Sequence, residues 1–187
     1  MAITRLDLRH ESPFADRASF GDVGPYRLLE GTAHFAVDPL HPRNEAITDV
    51  ELAPRDDQGM VRFSSDFAML QPADPNKGNG RIAFDVLNRG RKTIMSFNSS
   101  PRSADPAAPV DPGNGFLMRQ GYTIVWCGWQ ADVPPNTPLM GLHAPEAIGP
   151  DGRPLTGRIL CQFQANEPTN VFLLSDRNHT PHVPVDQ

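Results

Sequence analysis

Gly80-Arg-Ile-Ala-Phe-Asp-Val-Leu-Asn-Arg-Gly-Arg-Lys92 and Gly115-Phe-Leu-Met-Arg-Gln-Gly-Tyr-Thr-Ile-Val-Trp-Cys-Gly-Trp-Gln130 decide how this chain is read. Each carries an apolar run that breaks abruptly into a polar loop. Residues 82–87 are mostly apolar without alternation, the pattern of a strand buried on both faces. Residues 122–127 form a second such run. Between them lie a Ser/Pro/Ala loop at 98–112, a stretch at 114–120 with the makings of a short helix, and Gly121 as its C-terminal stop. Strand, loop, helix, strand is the unit of a parallel sheet, and ligands bind where such strands end.

The flanking segments have a different period. Residues 26–38 read as a long strand with Ala33, Phe35 and Val37 on one face, closed by Asp38-Pro-Leu-His-Pro42. Residues 46–52 read as a second strand and 54–59 as a polar turn. Residues 60–71 read as a third, in which Val61 and Phe63 alternate with Arg62 and Ser64. Residues 26–75 are therefore expected to be antiparallel, behind a lead-in over 1–25. Further strands are expected at 158–164 and 170–174, within a last section spanning 154–175. The expected fold class is α/β and strand-rich, with few helices and Pro-rich loops, in a single domain over 26–187.

Composition narrows the function. Leu, Ile, Val and Phe make up 43 of 187 residues, just above the roughly 20% below which disorder sets in. The 20 prolines are twice the usual share of about 5%, so much of the chain is loop. Net charge is −5 with the signs interspersed, which offers no basic face for nucleic acid and no lysine-rich helix for a membrane surface. Arg5, Asp7, Arg9 and Glu11 stand where a secretory signal needs an apolar run, and no stretch approaches the roughly 20 apolar residues of a membrane span. A cytoplasmic protein is expected. Cys127 and Cys161 read as buried free thiols, and the acceptor patterns at Asn98 and Asn178 carry no weight without a signal peptide.

Candidate sites cluster after the two buried runs. Asn88, Arg89 and Gly90 read either as a loop whose N–H groups stabilise an oxyanion, with Gly allowing close approach, or as an ordinary turn. Trp129, Gln130 and Asp132 follow the second run and suit a pocket wall, whereas Trp126 reads as core. No metal or cofactor is expected. His179 and His182 have ligand-like spacing, but Pro181 keeps a helix from presenting both. The loop at 72–80 resembles a calcium loop only at Asp74 and Asn76. His34 reads as a surface or satisfied histidine, and His143 lies in a Pro-rich loop. Neither Gly78-Asn-Gly80 nor Gly113-Asn-Gly115 is a phosphate loop. There is no G-x-S-x-G elbow and no Ser/His/Asp set that spacing can assemble.

The run Gly31-Thr-Ala-His-Phe-Ala-Val-Asp38, with Ala53-Pro-Arg55, Asn88-Arg-Gly90, Gly113-Asn-Gly-Phe-Leu-Met-Arg-Gln-Gly-Tyr122 and Gly128-Trp-Gln130, resembles the amino-terminal part of a family of bacterial alpha/beta-hydrolase-domain proteins. The resemblance extends from about Ser12 to Pro184. It implies that 82–87 and 122–127 are neighbouring parallel strands of a hydrolase sheet. It also implies that Asn88, Arg89 and Gly90 lie where such enzymes place one oxyanion donor, and that Gly128-Trp-Gln130 lies on the same side of the sheet. Family members are longer, so their nucleophile, acid and histidine are expected beyond residue 187. The expected function is the amino-terminal portion of an esterase-like hydrolase acting on a carboxylic ester or related acyl compound. The alternative is a non-catalytic β-rich module that binds a ligand or a protein. A sheet ended after its first parallel strands exposes an apolar edge, so the isolated chain is expected to self-associate.

Overall fold

A computed structural model describes residues 2–101, 103, 105, 107–134, 137–157, 164 and 166–169. The sheet consists of β1 (Ala2–Pro13), β2 (Tyr26–Val37), β3 (Val61–Pro72), β4 (Ile82–Asp85), β5 (Thr123–Cys127) and the two-residue β6 (Leu142–His143). Its order is β1-β2-β3-β5-β4, with β6 added to β3 beyond β5. The first three strands form an antiparallel meander in which β2 and β3 pair from Tyr26↔Pro72 to Val37↔Val61 without interruption. β5 runs antiparallel to β3 and parallel to β4, so the sheet is mixed and few helices accompany it.

The crossover between the parallel strands covers one face. Its short helix α1 (Phe116–Arg119) is held by two asparagines. Asn114 Oδ1 accepts the Phe116 N–H at 2.9 Å, and the fully buried Asn98 accepts the Leu117 N–H at 2.8 Å. Asn98 is thus a structural residue, a role that its sequence context did not reveal. Leu117 and Met118 then pack with Met95, Phe14 and Phe20 against Tyr26, Leu70, Ile124 and Trp126, all in one core cluster. Trp126 is fully buried, as its sequence position suggested. Gly121 ends the helix at φ 75°, the left-handed conformation that glycine adopts without strain.

Tyr26 ties the meander to this layer. Its hydroxyl lies 3.0 Å from the carbonyls of both Met118 and Tyr122. Burial pushes its pKa up from 10.0 to about 12, because the phenolate would lose its hydration. The folded protein therefore holds this proton more tightly than the unfolded chain does. The resulting stabilisation is complete below pH 10 and is lost as pH rises towards 12. Unfolding free energy is expected to fall by about 2–3 kcal/mol over that window. Urea titrations at pH 9, 10 and 11.5 check this; a Tyr26→Phe variant that falls by the same amount would show that another group is responsible.

Three sequence expectations change. Residues 46–52 are not a strand. Asn44 Nδ2 donates to the Asp38 carbonyl, Asp49 adopts φ 56°, and Val50–Leu52 forms a 3-10 turn. Such local side-chain bonds offer the backbone an alternative to a ladder. Val50 then packs with Val37 and Val61 at the end of the sheet. The lead-in contains β1, which pairs with β2 along its length with register shifts at Ile3/Arg5 and Leu8/His10. Residues 82–87 are not buried on both faces either. Among the described residues β4 is an edge strand, with Asp85 buried inward and Ile82 and Phe84 exposed. The strands expected at 158–164 and 170–174 fall outside the described residues apart from Gln164. No helix among the described residues is long and apolar enough to cross a membrane.

Candidate functional site

The loops that follow β4 and β5 meet at the carboxyl ends of the two parallel strands. Asn88–Arg91 is a tight turn closed by the Arg91 N–H on the Asn88 carbonyl at 3.2 Å, with Arg89 at φ 53° and Gly90 at φ 76°. Positive φ at both central positions suits glycine and is costly for arginine, so the turn needs outside support. The β5 loop supplies it. Gln130 Oε1 accepts the Arg89 N–H at 2.8 Å. The Arg89 guanidinium donates to Asp132 Oδ1 at 2.5 Å and to the Asp132 carbonyl at 2.9 Å. Trp129 Nε1 donates to the Leu87 carbonyl at 2.6 Å.

All six residues singled out in the sequence therefore meet, but in two roles. Asn88 and Gly90 line a cavity of about 510 Å³. Trp129, Gln130 and Asp132 are not among the residues that line it; they brace the turn from behind. Trp129 remains 55% exposed. Gly90 is tightly packed. A Cβ there would lie 2.8 Å from the backbone of Met140, and the Gly90 carbonyl accepts the Met140 N–H at 3.1 Å. The close approach that glycine permits is to the chain's own 139–140 segment.

The cavity has two kinds of wall. Arg91, Lys92, Thr93 and Ser96 lie on one side, and Met95, Val110, Leu139 and Met140 supply apolar surface. Its size suits a small molecule. Lys92 Nζ is held 3.2 Å from Glu30 Oε1 and 5.3 Å from the centre of the Trp126 ring. The sequence reading missed these lining residues. Arg91 and Lys92 stand inside the quoted 80–92 stretch, but only the turn puts them beside the Pro-rich loop.

Asp85 organises the floor of the site. It is buried and accepts four hydrogen bonds, from the Thr93 N–H (2.6 Å), the Ile94 N–H (2.9 Å), the Thr93 hydroxyl (2.9 Å) and Trp126 Nε1 (2.9 Å). It thereby fixes the 3-10 helix Ile94–Asn98 beneath the cavity.

The remaining candidates lie elsewhere. His34 Nε2 pairs with Asp7 at 2.9 Å. His143 Nε2 lies 3.3 Å from Asp66, which also accepts the Gly141 N–H at 2.9 Å. Among the described residues neither histidine bonds a serine. Cys127 is half-buried and free, 3.2 Å from the Ser65 hydroxyl. Asp74 caps the turn Pro75–Lys77 by accepting the Asn76 N–H at 3.0 Å. No group of three or more metal-ligating side chains occurs among the described residues; Cys161, Asn178, His179 and His182 lie outside them.

No protein-family model matches the chain, and comparison with curated proteins and with solved structures finds no match.

Proposed function

We propose that this chain is the amino-terminal portion of an alpha/beta-hydrolase-like protein that acts in the cytoplasm on a small carboxylic ester or related acyl compound. The observation that carries this reading is the parallel pairing of β4 with β5, from Ile82↔Thr123 to Asp85↔Trp126, with both following loops beside one cavity. In open α/β sheets ligands bind outside the carboxyl ends of such strands. Hydrolases of this type take one oxyanion donor from a strand-to-helix loop of this kind. The Asn88–Gly90 turn supplies that donor, and the apolar wall at Met95, Val110, Leu139 and Met140 receives the acyl chain. The reading assigns the serine nucleophile to none of residues 1–187. The binding-module alternative called for an all-antiparallel sandwich, and the β4–β5 pair counts against it.

The test is to isolate the native species from its own cells with an antibody against this region. Its activity is then assayed on short acyl esters. Hydrolysis is expected, with a serine-directed fluorophosphonate label mapping outside residues 1–187. A native species that hydrolyses no ester overturns the reading in favour of binding. Hydrolysis by the bare chain that is abolished at one of its own serines overturns the placement of the nucleophile.

A further inference from the structure

We propose that residues 90–96 form an anion subsite in the cavity, and that the ester bound there carries a second, ionised carboxyl group. The ester rests on the function proposed above; the anion subsite rests on the cavity itself. The stretch reads Gly-Arg-Lys-Thr-Ile-Met-Ser and holds no acidic residue. Gly90, Arg91, Lys92, Thr93 and Ser96 all line the cavity.

The Gly90 amide calls for an acceptor. Gly90 is buried, and the amides on either side of it are engaged. The Arg89 N–H goes to Gln130 Oε1 and the Arg91 N–H to the Asn88 carbonyl. The Gly90 N–H donates to no group among the described residues. Buried main-chain N–H groups nearly always have an acceptor, and a ligand oxygen in the cavity supplies one. Lys92 adds a held charge. Its side chain is only 22% exposed. Nζ gives one donor to Glu30 Oε1 at 3.2 Å and lies 5.3 Å from the centre of the Trp126 ring; an ammonium has others to give. Glu30 is not among the lining residues, so its carboxylate positions the ammonium without standing in the cavity. The acidic residues that do line it, Asp105 and Asp111, belong to the Pro-rich loop. Each accepts a main-chain N–H of its own turn, from Ala107 at 2.9 Å and Gly113 at 2.7 Å, and so shapes that loop. A fixed ammonium, the Arg91 guanidinium and an open N–H on one stretch suit an oxyanion, through charge-assisted hydrogen bonds. The apolar wall at Met95, Val110, Leu139 and Met140 suits the carbon chain of a carboxylate better than bare phosphate.

The test is an amide NMR titration of the isotope-labelled 1–187 chain at low salt. The probes are monomethyl succinate, its neutral isostere methyl succinamate, the cationic methyl ester of γ-aminobutyric acid, and inorganic phosphate. The half-ester is expected to bind at least about tenfold tighter than the neutral amide and to move the Gly90 amide resonance. Lys92→Met keeps an unbranched apolar side chain over Trp126, and its melting temperature verifies the fold. It is expected to remove most of the preference for the half-ester while leaving affinity for the neutral amide unchanged. Half-ester binding no tighter than that of the neutral or the cationic probe overturns the proposal. So does a preference that survives Lys92→Met with the Gly90 amide unmoved, or tighter binding of inorganic phosphate. Binding is read here without turnover. A half-ester that binds as expected, but that the native species does not hydrolyse, removes the hydrolase reading and leaves the anion subsite standing.

Discussion

Asp85→Ala is expected to lower unfolding free energy by about 4 kcal/mol, because it strands four donors around one buried position. The carboxylate ends β4, caps the turn that begins at Thr93 and holds the indole of Trp126. Truncation leaves two backbone N–H groups, a hydroxyl and an indole N–H without an acceptor, each costing roughly 1–3 kcal/mol if water cannot reach it. Some of that cost is relieved by water entering from the groove that Asp85 borders with Phe84 and Phe97, which keeps the sum below the full total. Asp85→Asn keeps the volume and one acceptor oxygen, so it is expected to cost about half as much. Urea denaturation followed by tryptophan fluorescence measures both. A loss below about 1 kcal/mol for Asp85→Ala would mean that the Thr93–Asn98 turn is organised by packing alone.

Gly90→Ala is expected to cost about 3 kcal/mol, with the damage confined to the site. A side chain at φ 76° costs roughly 1–2 kcal/mol before any contact is considered. The new Cβ would also lie 2.8 Å from the nitrogen and oxygen of Met140 and 2.9 Å from Leu139 Cβ. Those atoms are mostly backbone, so relief requires the 139–140 segment to move, at roughly another 1–3 kcal/mol. Moving it breaks the Met140 N–H bond to the Gly90 carbonyl and reshapes the cavity. The melting temperature is expected to fall by about 6–12 °C, with faster hydrogen exchange at the Met140 amide. A melting temperature within about 2 °C of the parent would show that the approach is looser than the geometry requires.

The parts of the fold legible in the sequence are those whose chemistry is local. β2 and β3 were readable because Ala33, Phe35, Val61 and Phe63 alternate with polar neighbours, and a half-buried strand admits no other pattern. The helix ending at Gly121 and the parallel pair were readable from an apolar run, a glycine stop and a second run. β1 was hidden because Pro13, Gly21, Gly24 and Pro25 made residues 1–25 read as a lead-in, although charged residues such as Arg5, Asp7, Arg9 and Glu11 are common on edge strands. At 46–52 a β-like composition was overruled by hydrogen bonds between Asn44, Asp38 and the turn at Asp49. Ile82, Phe84 and Val86 read as doubly buried because composition does not reveal whether a neighbouring strand is present.

The site divides in the same way. The sequence alone determined that Asn88–Gly90 and Trp129–Asp132 follow consecutive strands, and therefore that they fall at the same end of a parallel pair; this is a consequence of chain direction. Only the tertiary structure decided what each residue does there. Gln130 and Asp132 brace Arg89, and Gly90 makes room for Met140. Arg91, Lys92 and Val110 share a cavity with the turn although Val110 is far from it in the chain. The physical reason is range. Periodicity and turn chemistry act over a few residues and are written in neighbouring positions. Hydrogen-bond partners and cavity walls are chosen by whichever distant segments the sheet brings within a few ångströms.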